Sequence, residues 1–311
     1  MTRRPRPARR SLGLPALALA LALALVGCER SSPQSRAPAP PTITRAPTDP
    51  EPATPATPAI LDPRNARAGM IRIPAGPFTR GCREDVDEDC EDDEKPARRI
   101  TLREFWIDRQ EVTLDDYADC VQRGRCGPLR LGDCAVFDGA AFRRGVPLDP
   151  AYLSGPLPVT CVSWKEARGY CRAQGKRLPS EAEWEKAARG VDRRRYPWGD
   201  WRPSCVEANV FECTGLPEPV GGHPFGASPY GALDMAGNVW EWTEDWYGER
   251  YYRRARKRDP TGPREGQVRV VRGGSFYDDE FATRASYRYG ITPHSRINFL
   301  GFRCARSRPP A

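Results

Sequence analysis

The segment PVTCVSWKEARGYCRAQGKRLPSEAEWEKAARG, residues 158–190, contains two helix starts of the same design. Ser163 is followed three residues later by Glu166, and Ser180 by Glu183. A hydroxyl and a carboxylate at that spacing each accept a backbone N–H that the first helical turn leaves unpaired. The pattern predicts helices over 164–174 and 181–189, ended by Gly175 and Gly190. In the first of them Trp164, Ala167 and Cys171 share one face. Working outward, Thr113 with Asp116 predicts a third helix over 114–121. It carries Leu114, Tyr117, Ala118 and Val121 on one side, and Gly124 is its stop. ITLREFWID (100–108) and VRVVRGG (268–274) read as short strands. With 28 glycines and 33 prolines among 311 residues, regular elements should be few, so the expected class is an irregular, loop-rich α+β fold.

The N-terminal end has a different composition. Five arginines (Arg3, Arg4, Arg6, Arg9, Arg10) precede an apolar run that ends at Gly27-Cys28. A basic start and a short apolar core read as an export signal over residues 1–28. The small residue before cysteine is the pattern of a bacterial lipoprotein whose Cys28 carries lipid; a plain signal peptide is the alternative. Losing those five arginines lowers the formal charge from +8 to +3. Residues 29–66 are mostly Pro, Ala, Ser and Thr, too poor in aliphatic groups to offset their ordering entropy, and are expected to be a disordered tether. The folded domain is placed at 67–308, one domain by size. No dense basic block interleaved with aromatics remains, so nucleic acid is not an expected partner. The expected setting is the cell envelope, with the lipid anchoring the chain to a membrane and the domain facing periplasm or exterior.

Setting Cys28 aside leaves ten cysteines, an even number in an exported chain, which reads as a disulfide framework. Close spacing suggests Cys82 with Cys90, Cys120 with Cys126 and Cys205 with Cys213; a longer loop would join Cys134 to Cys161. Spacing alone leaves the connectivity open. No CxxC is present, which argues against a zinc ribbon or a redox dithiol.

Seven blocks in order carry a family resemblance: MIRIPAGPFTRG, FWIDRQEVTLDDYADCV, the 158–190 segment, YPWGD, PYGALDMAGNVWEWTEDWY, VRVVRGGSF and NFLGFRCAR. Together they resemble the formylglycine-generating enzyme, or sulfatase-modifying factor, family. The resemblance implies a compact irregular α+β fold distantly like C-type lectins, and it implies a Cys171–Cys304 bridge. Its oxidases hold copper on two cysteines downstream of RGGSF, since Cu(I) favours sulfur ligands. Laid on this chain, those seats are Asp278 and Thr283, and no cysteine lies between Cys213 and Cys304. Copper is therefore not expected. A second branch uses a histidine-held iron, but only His223 and His294 are present, and they read as loop residues.

The resemblance further implies calcium in DMAGNVWEW, held by the side chains of Asp234 and Glu241 and the backbone oxygens of Gly237 and Val239. Mixed carboxylate and carbonyl oxygen suits that ion, although an ion-free, aromatic-packed turn would read the same way. A second calcium site would use Asn209 and Val210, but the loop after them lacks an obvious aspartate. The acidic loop CREDVDEDCEDDEK (81–95 region) fails an EF-hand count, which would place Cys90 at the glycine and Pro96 at the glutamate, and it reads as solvated. The basic segment 250–265 also reads as a solvated loop, with contact to anionic lipid or polysaccharide as the alternative. Asp278, Asp279 and Glu280 near Arg284 and Arg288 suggest either the polar floor of a groove or a self-satisfied surface network. Three functions follow: a copper-free binding or assembly module for a peptide, protein or glycan; an oxidoreductase using a different metal at the acidic trio; or a structural envelope protein.

Overall fold

The computed structural model describes residues 69–309 apart from Val86 and Ser154. The expected signal peptide over 1–28, the lipidated Cys28 and the tether over 29–66 lie outside the described residues. In chain order the elements are β1 (Met70–Ile73), β2 (Gly76–Arg80), β3 (Arg98–Leu102), β4 (Phe105–Asp108), α1 (Leu114–Gln122), β5 (Ala135–Phe137) and β6 (Phe142–Arg144). There follow α2 (Trp164–Ala173), α3 (Glu181–Arg189), β7 (Trp240–Trp246), α4 (Tyr251–Arg254), β8 (Arg269–Arg272), β9 (Tyr289–Ile291), β10 (Leu300–Gly301) and β11 (Ala305–Arg306). The stretch 100–108, read from sequence as one strand, is two: it breaks at Arg103-Glu104. β3 pairs with β2, while β4 crosses into a sheet of order β1-β4-β11. A break between the halves lets Leu102 and Phe105 both be buried.

The three predicted helices form with their caps in place. Thr113, Ser163 and Ser180 each accept the backbone N–H three residues on, and Asp116, Glu166 and Glu183 reach back to the capping residue. The main sheet runs β10-β7-β8-β9, with β10 parallel to β7 and the other pairs antiparallel. β7 supplies its centre. Trp242 is fully buried, its indole donating to the Val162 carbonyl at 3.0 Å, and Trp240 is buried beside it. Trp184 of α3 donates to Glu241 at 2.9 Å and Trp164 of α2 to the Thr243 carbonyl at 2.8 Å. Each of these indoles buries a large apolar body and still satisfies its one donor.

Five disulfides join Cys82–Cys90, Cys120–Cys126, Cys134–Cys161, Cys171–Cys304 and Cys205–Cys213. The Cys171–Cys304 bridge spans 133 residues and ties α2 to the strand-rich C-terminus. Closing a loop of that length removes about 5 kcal/mol of chain entropy from the unfolded state. Among the described residues, no helix is long and apolar enough to cross a membrane.

α3 also carries charge into the interior. Glu181 and Glu185 are 1% and 0% exposed, and they meet Arg288 at 2.6 Å and Arg272 at 2.8 Å. Next to them Asp245 accepts the Glu181 backbone N–H at 2.8 Å. Burial first, and repulsion from Glu181 second, push its carboxyl up to about 8. The sign follows from the neutral form being the one the fold prefers. Stability from this group is complete below the ordinary carboxylate range and is lost as pH rises toward about 8. Asp245→Asn should flatten that decline; urea titrations across pH should show a slope of at most about 1.4 kcal/mol per pH unit in the parent and less in the variant.

Candidate functional site

β8 delivers its chain into the loop at Arg272, and Gly273-Gly274 turn it back under the sheet. Gly274 sits at φ +73, and a Cβ there would come 2.8 Å from the Thr283 methyl, so the turn and the Thr283 side chain require each other. Of the two positions that the resemblance sets against the oxidase cysteines, Thr283 is 0% exposed and donates its hydroxyl to the Asp279 carbonyl at 3.1 Å. Asp278 accepts from the Ser275 hydroxyl at 2.6 Å, the Ser275 backbone at 3.0 Å and the Trp240 indole at 2.8 Å, all on one oxygen. Burial raises the Asp278 carboxyl above its ordinary range, against those three donors. Neither group is arranged as a free ligand: one is a buried hydroxyl, the other a clamp joining the loop to β7.

The polar floor expected from Asp278, Asp279, Glu280, Arg284 and Arg288 is not assembled. Glu280 pairs with Arg202 at 3.1 Å, and Asp279 caps the next turn by accepting from Phe281 N. Arg284 and Arg288 turn inward instead. Arg284, 0% exposed, binds Glu94 at 2.8 Å and Asp87 at 3.0 Å, and Arg288 binds Glu181. The acidic loop is therefore only partly solvated. Glu84, Asp85 and Glu88 face solvent, whereas Asp87, Asp93 and Glu94 are buried partners of Arg284 and of Tyr247, whose hydroxyl donates to Asp93 at 2.6 Å. The Cys82–Cys90 bridge closes this loop over Arg284. An isolated guanidinium could not stay buried there, so the acids were drawn in with it.

What surrounds Asp278 is aromatic. Trp240 lies 6.0 Å from Tyr287 and 6.1 Å from Tyr289, and Tyr287 is 5.1 Å from Phe281. On the other side Tyr277 packs edge-on to Phe137 at 5.1 Å, which meets Phe142 of β6 at 5.0 Å. Phe211, whose backbone N–H donates to the Asp278 carbonyl at 2.9 Å, is 57% exposed, and Tyr289 is 53% exposed. Nothing local in the sequence marks this rim, because its members come from five separate segments.

The DMAGN turn brings the expected oxygen donors into one region. Asp234 and Asn238 have left-handed backbones, and Gly237 at φ +77 approaches Asn209 so closely that a Cβ would lie 2.3 Å from its carbonyl. Glu241 is fully buried, both of its oxygens accepting from Arg303 at 2.7–2.9 Å. A third carboxylate missed from sequence, Glu111, accepts from Asn238 at 3.0 Å through one oxygen, while its other oxygen is buried without a partner. Burial foremost, then the charges of Asp234 and Glu241, push Glu111 well above the ordinary range. Of these three buried carboxylates only Glu241 pairs with Arg303; Asp234 accepts from the Gly221 N–H, and Glu111 keeps one oxygen without a partner. That donor set fits a hard cation. The second expected site is less open. The Asn209 side chain is spent on Leu216 and Thr214, and its backbone oxygen accepts from Asn238 at 2.7 Å. His223 bonds Glu218 at 2.6 Å, and His294 is exposed.

A mixed fold of short strands around a few capped helices, with a C-terminal loop closed over an arginine-rich interior, defines the class. The chain belongs to the sulfatase-modifying factor family: the sulfatase-modifying factor enzyme 1-like domain matches residues 57–308. A formylglycine-generating enzyme of Streptomyces coelicolor is 36% identical over 301 residues, covering 82% of this chain and 95% of that one. A hercynine oxygenase of Mycolicibacterium smegmatis is 34% identical over 261 residues, covering 76% of this chain and 60% of that one. Among solved structures, PvdO from Pseudomonas aeruginosa superposes with a TM-score of 0.63 at 26% identity, over 76% of this chain and 93% of that one. Family membership thus spans relatives named for different chemistry.

Replacing Glu94 and Asp87 together by Gln and Asn should strand Arg284 in a dry interior and cost about 3–5 kcal/mol, measured by urea unfolding. Glu88→Gln in the same loop, exposed, should change stability by less than about 0.5 kcal/mol.

Proposed function

We propose that this chain is a lipid-anchored envelope protein whose sulfatase-modifying-factor domain serves as a binding or assembly module rather than a copper oxidase. One observation carries the reading: Asp278 and Thr283 occupy the seats of the thiolate pair, and both are committed to internal hydrogen bonds. Carboxylate and hydroxyl are hard donors, unsuited to Cu(I). The half-exposed rings around Asp278 favour a peptide or glycan that stacks on aromatics. The rival metal-dependent oxidoreductase would need the acidic trio to converge, and Asp278, Asp279 and Glu280 each have separate partners.

Calcium is the cofactor this reading includes, held by Asp234 and the backbone oxygens of Gly237 and Val239. Glu241 would contribute by sharing with Arg303, and Glu111 would add its unpartnered oxygen. Bound there, the ion would neutralise the buried acids and lock the turn beneath β7 without taking part in chemistry.

Purified protein given copper, oxygen and a Cys-X-Pro-X-Arg peptide should leave the peptide thiol intact by mass spectrometry; stoichiometric conversion to aldehyde would sink the proposal. Chelation should lower the melting temperature by about 5–10 °C at calcium levels near 100 times Kd. Calcium but not magnesium should restore it, and Glu111→Gln should blunt the response.

A further inference from the structure

The described domain is nearly neutral, with 39 Lys and Arg against 37 Asp and Glu over residues 69–309, yet one face of it is not. The segment after α4 runs alongside β3 as an added edge strand: Thr101 N donates to the Lys257 carbonyl at 2.8 Å, Asp259 N donates to the Thr101 carbonyl at 3.0 Å, and Arg258 is bridged in parallel to Thr101. Side chains two apart on a strand share a face. Ile100 and Leu102 of β3 are buried, so Arg99 and Arg103 point the other way, toward solvent. Arg258, opposite Thr101, joins them, and Arg256 stands exposed two residues before it. Arg253, Arg254 and Lys257 flank this row, also exposed. Arg98 anchors the arrangement from beneath, donating to the carbonyls of Tyr252 and Arg253 at 3.0 and 2.9 Å.

Among the described residues only one carboxylate answers the row from within: Asp259, which pairs with Arg103 at 2.9 Å. Glu104 is turned to Arg72. A recess of about 350 Å³ opens at the same edge, with Thr101, Arg103, Arg258 and Asp259 in its wall. None of the large apolar side chains exposed on this protein lies in 98–104 or 253–259. Single-stranded nucleic acids stack on aromatic rings, and sugars would need the same kind of platform; this face offers neither. Among the described residues Arg99, Arg256 and Arg258 have no acidic partner, and such exposed guanidinium groups on a sheet face suit a plane of phosphates instead.

We propose that the arginine face formed by Arg99, Arg256 and Arg258 docks the domain flat against an anionic phospholipid surface. The proposal rests on the reading that a lipid on Cys28 keeps the chain at a membrane. The tether of 29–66 would raise the effective concentration of headgroups at the arginine face, so weak individual contacts suffice. Docking would orient the aromatic rim relative to the membrane and make that orientation dependent on salt.

The test uses the full chain with Cys28→Ser, which removes the lipid while keeping the leader constant in every sample. Sedimentation with phosphatidylcholine vesicles, with and without phosphatidylglycerol, reads the arginine face. Arg99→Gln, Arg256→Gln and Arg258→Gln together should weaken attachment to the anionic vesicles on the order of 100-fold, taking about fivefold per arginine, and high salt should erase the difference. Parental affinity in a triple variant with unchanged melting temperature overturns the proposal. Equal displacement by duplex DNA at matched phosphate concentration also overturns it. Should the triple variant melt lower, Arg253→Gln with Arg254→Gln, outside the sheet, provides the same readout at about 25-fold. A separate mass measurement of the N-terminal peptide from cells reports the lipid on Cys28, so failure of the anchor and failure of the arginine face give different results.

Discussion

Arg272, Arg284, Arg288 and Arg303 are each 2% exposed or less, and all four come from the last forty or so residues of the chain. Each can exist there only with an acid beside it, because a guanidinium stripped of water and left unpaired costs several kcal/mol. Their partners arrive from far away in sequence: Glu185 for Arg272, Glu94 and Asp87 for Arg284, Glu181 for Arg288, Glu241 for Arg303. The pairs therefore act as assembly conditions. In the folded state the C-terminal segment is tied through them to the acidic loop, α3 and β7. Hydrophobic residues of the same volume could serve stability equally well or better. What they could not supply is the requirement that these segments, and no others, meet.

That requirement also explains the character of the site. In the loop after RGGSF, Arg284 and Arg288 point down into their acids and Asp278 is tied to Trp240 and Ser275. The backbone between them has little freedom to move a side chain toward a bound substrate. Asp278 and Thr283 complete the loop's own hydrogen bonding, and a ring of aromatics surrounds them. The loop is polar and internally bonded below, and aromatic at its rim.

The oxygen-rich turn at 234–241 is linked to the same framework. Arg303 balances Glu241, burial pushes the Glu111 carboxyl well above the ordinary range, and a buried Glu111 oxygen is left without a donor. The turn sits beneath β7, whose indoles organise the core, so a cation there would act on the whole domain through the central strand.

Much of this was legible in the residues. The three capping boxes act over three positions and depend on nothing distant, so Thr113, Ser163 and Ser180 announced α1, α2 and α3 within a residue or two. Loss of cysteine at 278 and 283 is likewise a fact of sequence. Burial of charge was not legible. Asp87 and Glu94 look like their solvated neighbours Glu84 and Glu88, and nothing local says that two of them will be taken out of water by a residue 190 positions away. Nor could alternation along 100–108 reveal that the strand breaks to serve two sheets. Local hydrogen bonding and composition determined the helices, the family blocks and the missing thiolates; only the tertiary structure decided which charges pair in the interior, because a partner's field is felt through space and not along the chain.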